Sequence, residues 1–268
     1  MHRDLAHGKL ILDYPAEAVA RLTIHNSPKR NALDHEILDA FAEVMGRLDH
    51  GIKIRCVIIT GHGHAFSAGY DIGNIPEARF ERDAEALVAH PFHEAMGAIS
   101  DYPYPTVAAL NGHCLGGGLE LALRCDIRIC AHGAKLGMPP AKLGLVYGHT
   151  GLAKFIEVIG AARTRELFLS GRTVEAERAE AIGLVHETAP AAGFEELILE
   201  RAAEIAANAP LSMRGNKQAI DLLARGTELT EPEEQALIEL RRACFGSEDM
   251  REGIRAFAEK RPARWLGR

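Results

Sequence analysis

A chain of 268 residues with 47% hydrophobic and 25% charged side chains can bury a substantial core, as one domain with an appendage or as two small domains. The net charge of -6 argues against general nucleic-acid binding, which needs a concentrated basic face; Lys and Arg are scattered apart from Lys29-Arg30 and a basic C-terminal tail. The five cysteines (Cys56, Cys114, Cys125, Cys130, Cys244) form no C-x-x-C pair, so neither a disulfide framework nor a zinc site is indicated and a reducing cytosol fits best.

From the N-terminus, alternation in Lys9 to Asp13 and Ala18 to Ile24 around Tyr14-Pro15-Ala16-Glu17 predicts a hairpin. Asp34 is placed to cap a helix whose apolar face is Ile37, Leu38, Phe41, Val44, Met45 and Leu48. Strands follow over Cys56 to Thr60, Thr106 to Leu110 and Asp126 to Cys130, with helices over Ala84 to Ile99 and Gly117 to Leu123. This alternation specifies an α/β core. Beyond Gly183-Leu184-Val185-His186 the pattern turns helical: Phe194 to Asn208, Leu211 to Arg225, Thr230 to Phe245 with a Thr230/Glu233 capping box, and Glu248 to Lys260. No segment reaches the roughly 20 apolar residues a membrane helix needs, so a soluble, cytoplasmic protein without a membrane partner is expected.

Two loops stand out. Asn111-Gly112-His113-Cys114-Leu115-Gly116-Gly117-Gly118-Leu119-Glu120-Leu121 joins an apolar strand to three glycines and then to a helix carrying a carboxylate. Glycine lets backbone approach a ligand, and the first N–H groups of a helix lack internal partners. A lone glycine run would only allow tight packing, but Ala65-Phe66-Ser67-Ala68-Gly69-Tyr70-Asp71-Ile72 repeats the strand-to-small-residue pattern, and two loops can give one N–H each to an oxyanion.

These loops, with Ser27-Pro28-Lys29-Arg30-Asn31-Ala32-Leu33 before them, and Cys125-Asp126, Gly183-Leu184-Val185, Ala209-Pro210 and Ser247 to Gly253 after them, resemble the crotonase superfamily, the enoyl-CoA hydratase/isomerase family, along nearly the whole chain. The resemblance implies a spiral of β-β-α units over residues 1–193 that carries an acyl-CoA site, then a C-terminal helical region over 194–268 that assembles homotrimers or dimers of trimers. Composition alone leaves a doubly wound sheet open. The resemblance also implies no cofactor beyond the coenzyme A of the substrate, and no residue pattern calls for a metal.

Carried over by motif position, the oxyanion donors are the backbone N–H groups of Tyr70 and Gly117, and Glu120 is the acid/base carboxylate. The resemblance places Lys29, Arg30, Ala32, Leu33, Ala68, Asp71, Ile72, Leu115 and Gly116 along the coenzyme A path, with Phe257 and Lys260 reaching it from the C-terminal helix. Lys29 reads equally as a solvated basic turn, and Glu120 as a helix-surface carboxylate paired with a nearby base.

The chain departs from family hydratases where they carry a second glutamate: Pro140 stands there, within Gly137-Met138-Pro139-Pro140-Ala141-Lys142. Proline cannot orient water or move a proton. Seven residues on, Tyr147 replaces a usual proline, a combination similar to the methylmalonyl-CoA decarboxylase branch, in which the tyrosine holds a substrate carboxylate. That branch has histidine at the position of Tyr70 and proline at that of Val146, so the match is partial. Decarboxylation of a malonyl-type thioester or double-bond isomerisation is therefore expected ahead of hydration. One alternative is a hydratase whose missing acid comes from Tyr147 or His149. Another is a non-catalytic acyl-CoA-binding oligomer, and for Tyr147 a packed ring with a surface hydroxyl. His62-x-His64 reads as a solvated loop, and Ser67 lacks the context of a nucleophile.

Overall fold

The structure is a computed structural model and describes residues 2–48, 51–71, 91–224, 226 and 229–268. Its strands are β1 (His2–Leu5), β2 (Leu10–Ala16), β3 (Val19–Ile24), β4 (Cys56–Gly61), β5 (Ala65–Ser67), β6 (Thr106–Leu110), β7 (His113–Leu115), β8 (Ile127–Ala131), β9 (Lys135–Gly137), β10 (Thr173–Glu175) and β11 (Glu187–Ala189). Its helices are α1 (His35–Arg47), α2 (Pro91–Ser100), α3 (Gly117–Arg124), α4 (Pro140–Leu143), α5 (His149–Ser170), α6 (Ala176–Ala181), α7 (Phe194–Ala206), α8 (Pro210–Ala224), α9 (Glu231–Gly246) and α10 (Glu248–Glu259).

The strands divide between two sheets by a simple rule. In each of the pairs β4/β5, β6/β7 and β8/β9, the first strand joins a large sheet ordered β1-β2-β3-β4-β6-β8-β11 and the second joins a small sheet ordered β10-β9-β7-β5. The chain thus winds from one sheet to the other with each repeat, and β3, β4, β6, β8 and β11 run parallel, as do β5, β7 and β9. The turns between the two sheets are tight enough to demand glycine. A Cβ on Gly61 would lie 2.1 Å from the carbonyl oxygen of Ala65, and one on Gly112 would lie 2.1 Å from that of His64.

Because helices cover both faces of the large sheet, its central strands read as continuous apolar runs. Val57, Ile59, Ala108 and Leu110 point into the main core with α1, α2 and α3. Their neighbours Cys56, Ile58, Val107 and Ala109 point to the opposite face, where Phe194, Ile198, Ala202 and Ala206 of α7 cover them. Helix α7 is therefore seated on the sheet, whereas α8 to α10 leave Ile220, Leu223, Phe245, Ile254 and Phe257 exposed. The C-terminal tail closes back on the end of α7, Trp265 Nε1 donating to the carbonyl of Ala207 at 2.6 Å.

The expected hairpin, the strands and α1 appear with ends shifted by a few residues, and Asp34 caps α1 by accepting from the Ile37 N–H at 3.0 Å. Residues 84–90 of the helix expected over Ala84 to Ile99 lie outside the described residues, and α2 begins at Pro91. The small sheet had no counterpart in the pattern, because its strands are three residues long and show no period. Nor did α5, the longest helix described: Gly160 breaks it at φ 72°, and its buried residues Gly151, Phe155, Ile159, Thr164, Leu167 and Phe168 straddle the break.

Candidate active site

The geometry of the site follows from the small sheet. β5, β7 and β9 are parallel neighbours, so the loops leaving their ends emerge side by side: Ala68-Gly69-Tyr70 after β5, Gly116-Gly117 after β7 and Met138-Pro139-Pro140 after β9. Segments far apart in sequence thereby form one rim. The N–H of Gly116 donates to the carbonyl of Gly137 at 3.0 Å, joining the second loop to the end of β9, where the third begins. A Cβ on Gly69, whose φ is 93°, would come within 3.1 Å of the Gly117 nitrogen, so the first two loops also touch.

A third segment locks the first loop in place. Arg30 and Asn31 both adopt left-handed backbone, φ 53° and 59°. The N–H of Ala68 donates to the Arg30 carbonyl at 2.9 Å, that of Leu33 to the Gly69 carbonyl at 2.8 Å, and that of Asp71 to the Leu33 carbonyl at 2.9 Å. Fully buried Asn31 donates to the carbonyls of His62 and Ala65 at 2.9 and 2.7 Å. Ser67 is also buried and donates to the Asn31 carbonyl at 2.8 Å, a structural use of its hydroxyl. Among the described residues, the N–H groups of Tyr70 and Gly117 have no acceptor, and Gly117 opens α3 at the positive end of its dipole.

Glu120 sits in the first turn of α3 and is only 3% exposed, so it is no helix-surface carboxylate. Both of its oxygens are engaged. Oε1 pairs with an Nη of Arg124 at 2.9 Å, one helical turn on, and Oε2 accepts from the Tyr147 hydroxyl at 2.7 Å. Tyr147 is 8% exposed, and its hydroxyl points inward to this carboxylate rather than to the surface. Burial, with the nearby Tyr70 and Glu120, pushes the Tyr147 phenol well above its ordinary value, so it is a proton-bearing donor at neutral pH. The Tyr70 hydroxyl lies 3.3 Å from that of Tyr147, and its ring packs edge-on against Phe92 at 4.8 Å. Phe168 closes the far side of Tyr147 at 5.5 Å.

Two residues absent from the sequence reading complete the cluster. Arg124 was legible only as an i,i+4 partner of Glu120. Gly151, in the first turn of α5, is required by close approach: a Cβ there would lie 2.5 Å from Glu120 Oε2 and 2.6 Å from Tyr147 Cε1. No local pattern marks it, because the neighbours that forbid a side chain lie at positions 120 and 147.

The remaining expected residues distribute as follows. Ala32 and Leu33 are buried beneath the first loop, while Ala68, Leu115 and Gly116 are half-buried along the rim. The Lys29 ammonium pairs with the Asp71 carboxylate, so two expected coenzyme A contacts neutralise each other. Arg30 is exposed at the rim, and Ile72 lies outside the described residues. Pro140 is buried at the start of α4, in the third loop. His149 is exposed at the start of α5. Phe257, 89% exposed, lines a cavity of about 770 Å³ among α8, α9 and α10 that shares no residue with the Glu120 cluster, and Lys260 follows it at the end of α10. His62 and His64 are exposed, and no cluster able to hold a metal occurs among the described residues.

The family model for enoyl-CoA hydratase/isomerase matches residues 15–268. The chain belongs to the enoyl-CoA hydratase/isomerase family. A probable enoyl-CoA hydratase of Bacillus subtilis is 36% identical over 93% of this chain and 95% of that protein. The 2,3-dehydroadipyl-CoA hydratase of Escherichia coli is 30% identical over 94% and 96% respectively. The crystal structure of an enoyl-CoA hydratase from Bacillus anthracis superposes with a TM-score of 0.88 at 31% identity, covering 97% of this chain and all of that one. The α/β fold is thus that of the crotonase superfamily, and the family acts on acyl-CoA thioesters.

Proposed function

We propose that this enzyme hydrates a 2-enoyl-CoA thioester, with Glu120 and Tyr147 together serving as the acid–base pair. The observation that carries this is the 2.7 Å bond from the Tyr147 hydroxyl to Glu120 Oε2. It supplies a second proton-carrying group where Pro140 removes the second glutamate. The thioester oxygen sits between the N–H groups of Tyr70 and Gly117, each such donor being worth about 3 to 4 kcal/mol as charge develops on oxygen. Glu120 takes a proton from water as the water oxygen bonds to the β-carbon. Tyr147 gives its proton to the α-carbon of the resulting enolate and is reprotonated by Glu120 across their hydrogen bond, which restores the resting state. The groups are the protein's own, with coenzyme A entering as part of the substrate. Names of similar proteins support hydration as well.

Decarboxylation, which the sequence pattern favoured, fits this geometry less well. A substrate carboxylate held by Tyr147 would sit beside the Glu120 carboxylate, and like charges at that separation repel strongly in a buried site. Isomerisation of a 3-enoyl thioester needs only Glu120 and follows from the same cluster. The exposed apolar residues of α8 to α10 support contact between copies of the chain, which the family resemblance implies are trimers, and the buried free thiols suit a reducing cytosol.

Purified protein incubated separately with crotonyl-CoA, a 3-enoyl-CoA and methylmalonyl-CoA, with products identified by mass, tests the reading. Hydration of crotonyl-CoA that falls at least a hundredfold in both Glu120→Gln and Tyr147→Phe is expected. Carbon dioxide released from methylmalonyl-CoA without hydration of crotonyl-CoA would overturn it.

A further inference from the structure

Resting on that acid–base pair, we infer that the side chain of Tyr70, and not only its backbone N–H, is a positioning residue that acts through Tyr147. The Tyr147 hydroxyl has one proton, and the 2.7 Å bond commits it to Glu120 Oε2. Its contact with the Tyr70 hydroxyl at 3.3 Å must then be one in which Tyr70 donates. The result is a directed chain, Tyr70 to Tyr147 to Glu120. At 3.3 Å the first link is long for two neutral hydroxyls. Bonds to an anionic oxygen are shorter and about twice as strong. When Tyr147 gives its proton to the enolate, negative charge appears on its oxygen, and the Tyr70 hydroxyl is the donor already aimed at it. The bond strengthens only at that moment, which is the condition for an effect on turnover and not on substrate binding.

The fold holds the Tyr70 ring in place for this. A Cβ on Gly117 would come within 2.9 Å of Tyr70 Cε1 and 3.0 Å of Cζ, so the ring fills the space that the missing side chain leaves. Phe92 supports it edge-on at 4.8 Å, and the ring of Tyr147 stacks at 6.4 Å with an interplanar angle of 27°. The same residue thus offers its N–H to one oxyanion and its hydroxyl to another. Burial, and then the charge of Glu120, raise its phenol above the ordinary value, so the hydroxyl keeps its proton through neutral pH.

Tyr70→Phe retains the backbone and the ring and removes only the hydroxyl. With crotonyl-CoA, a ten- to fiftyfold lower kcat with KM within threefold of wild type is expected. In the Tyr147→Phe background, where no phenolate forms, adding Tyr70→Phe should change the residual rate less than twofold. An unchanged kcat in the single variant overturns the inference, as does a loss that appears in KM alone or persists in full beside Tyr147→Phe. If Tyr147→Phe is too slow to assay, the split between kcat and KM in Tyr70→Phe decides by itself. Should Tyr147→Phe work at the wild-type rate, it is the acid–base pair that fails, an outcome distinct from a null effect of Tyr70→Phe beside an impaired Tyr147→Phe.

Discussion

Replacing Gly151 by alanine sets two effects of known sign against each other. In an unconstrained helix the change stabilises by about 0.5 to 1 kcal/mol, because glycine loses more backbone entropy on folding. Here the new methyl would lie 2.5 Å from Glu120 Oε2 and 2.6 Å from Tyr147 Cε1, about 0.9 Å short of ordinary contact. The carboxylate cannot easily retreat, since Arg124 holds its other oxygen at 2.9 Å, and Phe168 backs Tyr147 at 5.5 Å. Overpacking of this kind costs about 1 to 3 kcal/mol, so the balance is a net loss of about 0 to 2.5 kcal/mol, centred near 1 kcal/mol. For a chain of this size a loss of about 1 kcal/mol lowers Tm by about 2 to 4 °C. The bond from Tyr147 to Glu120 opens as well, and a bond to a charged group is worth about 1.5 to 3 kcal/mol, or about ten- to a hundredfold in rate. Thermal unfolding followed by circular dichroism and hydration of crotonyl-CoA read the two effects. Gly97→Ala in α2, where a Cβ meets nothing within 4 Å, is the control and should raise stability slightly with activity intact. A Gly151→Ala protein that melts at or above wild type, or turns over at the wild-type rate, would refute the packing argument.

Asn31→Ala should destabilise by roughly 3 kcal/mol, since it strands the buried Ala65 carbonyl, removes the donor to the part-buried His62 carbonyl and puts alanine at a φ of 59°. In urea this appears as a lower midpoint at constant m-value, and a loss under 1 kcal/mol would show that the loop is held by other means. Stability should also fall steeply above pH 9. Burial pushes the thiols of Cys56, Cys125 and Cys130 up to about 12 and that of Cys114 well above 9.0. Between pH 9 and 12 the unfolded chain releases these protons while the folded one keeps them, so each thiol removes about 1.4 kcal/mol per pH unit and unfolding is expected between about pH 10 and 11. A Tm that is level from pH 8 to 10.5 would contradict this.

Much of the site was legible because its signals are local. Three glycines before a helix, a strand ending in small residues, and a carboxylate one turn into α3 are facts of neighbouring residues, and their order along the chain carried the family. Asp34 as a helix cap and the apolar face of α1 were readable for the same reason. That Pro140 stands where family hydratases carry a second glutamate followed from the resemblance, applied to one position.

What tertiary structure alone decided is how distant segments meet. Strands of three residues have too few side chains to show a period, yet β5, β7 and β9 bring residues 70, 117 and 140 to one rim. The sequence marked Tyr147 as unusual but not where its hydroxyl points, because that depends on α5 packing against α3 across a gap that only Gly151 leaves open. It offered Tyr70 for its backbone, whereas the ring's place over Gly117 makes the side chain chemical too. Local pattern determined the longer strands and the amphipathic helices, and the family resemblance named the candidate reactive groups. Hydrogen-bond direction and the proximity of groups 27 and 77 residues apart are properties of the packed chain, and they set which proton goes where.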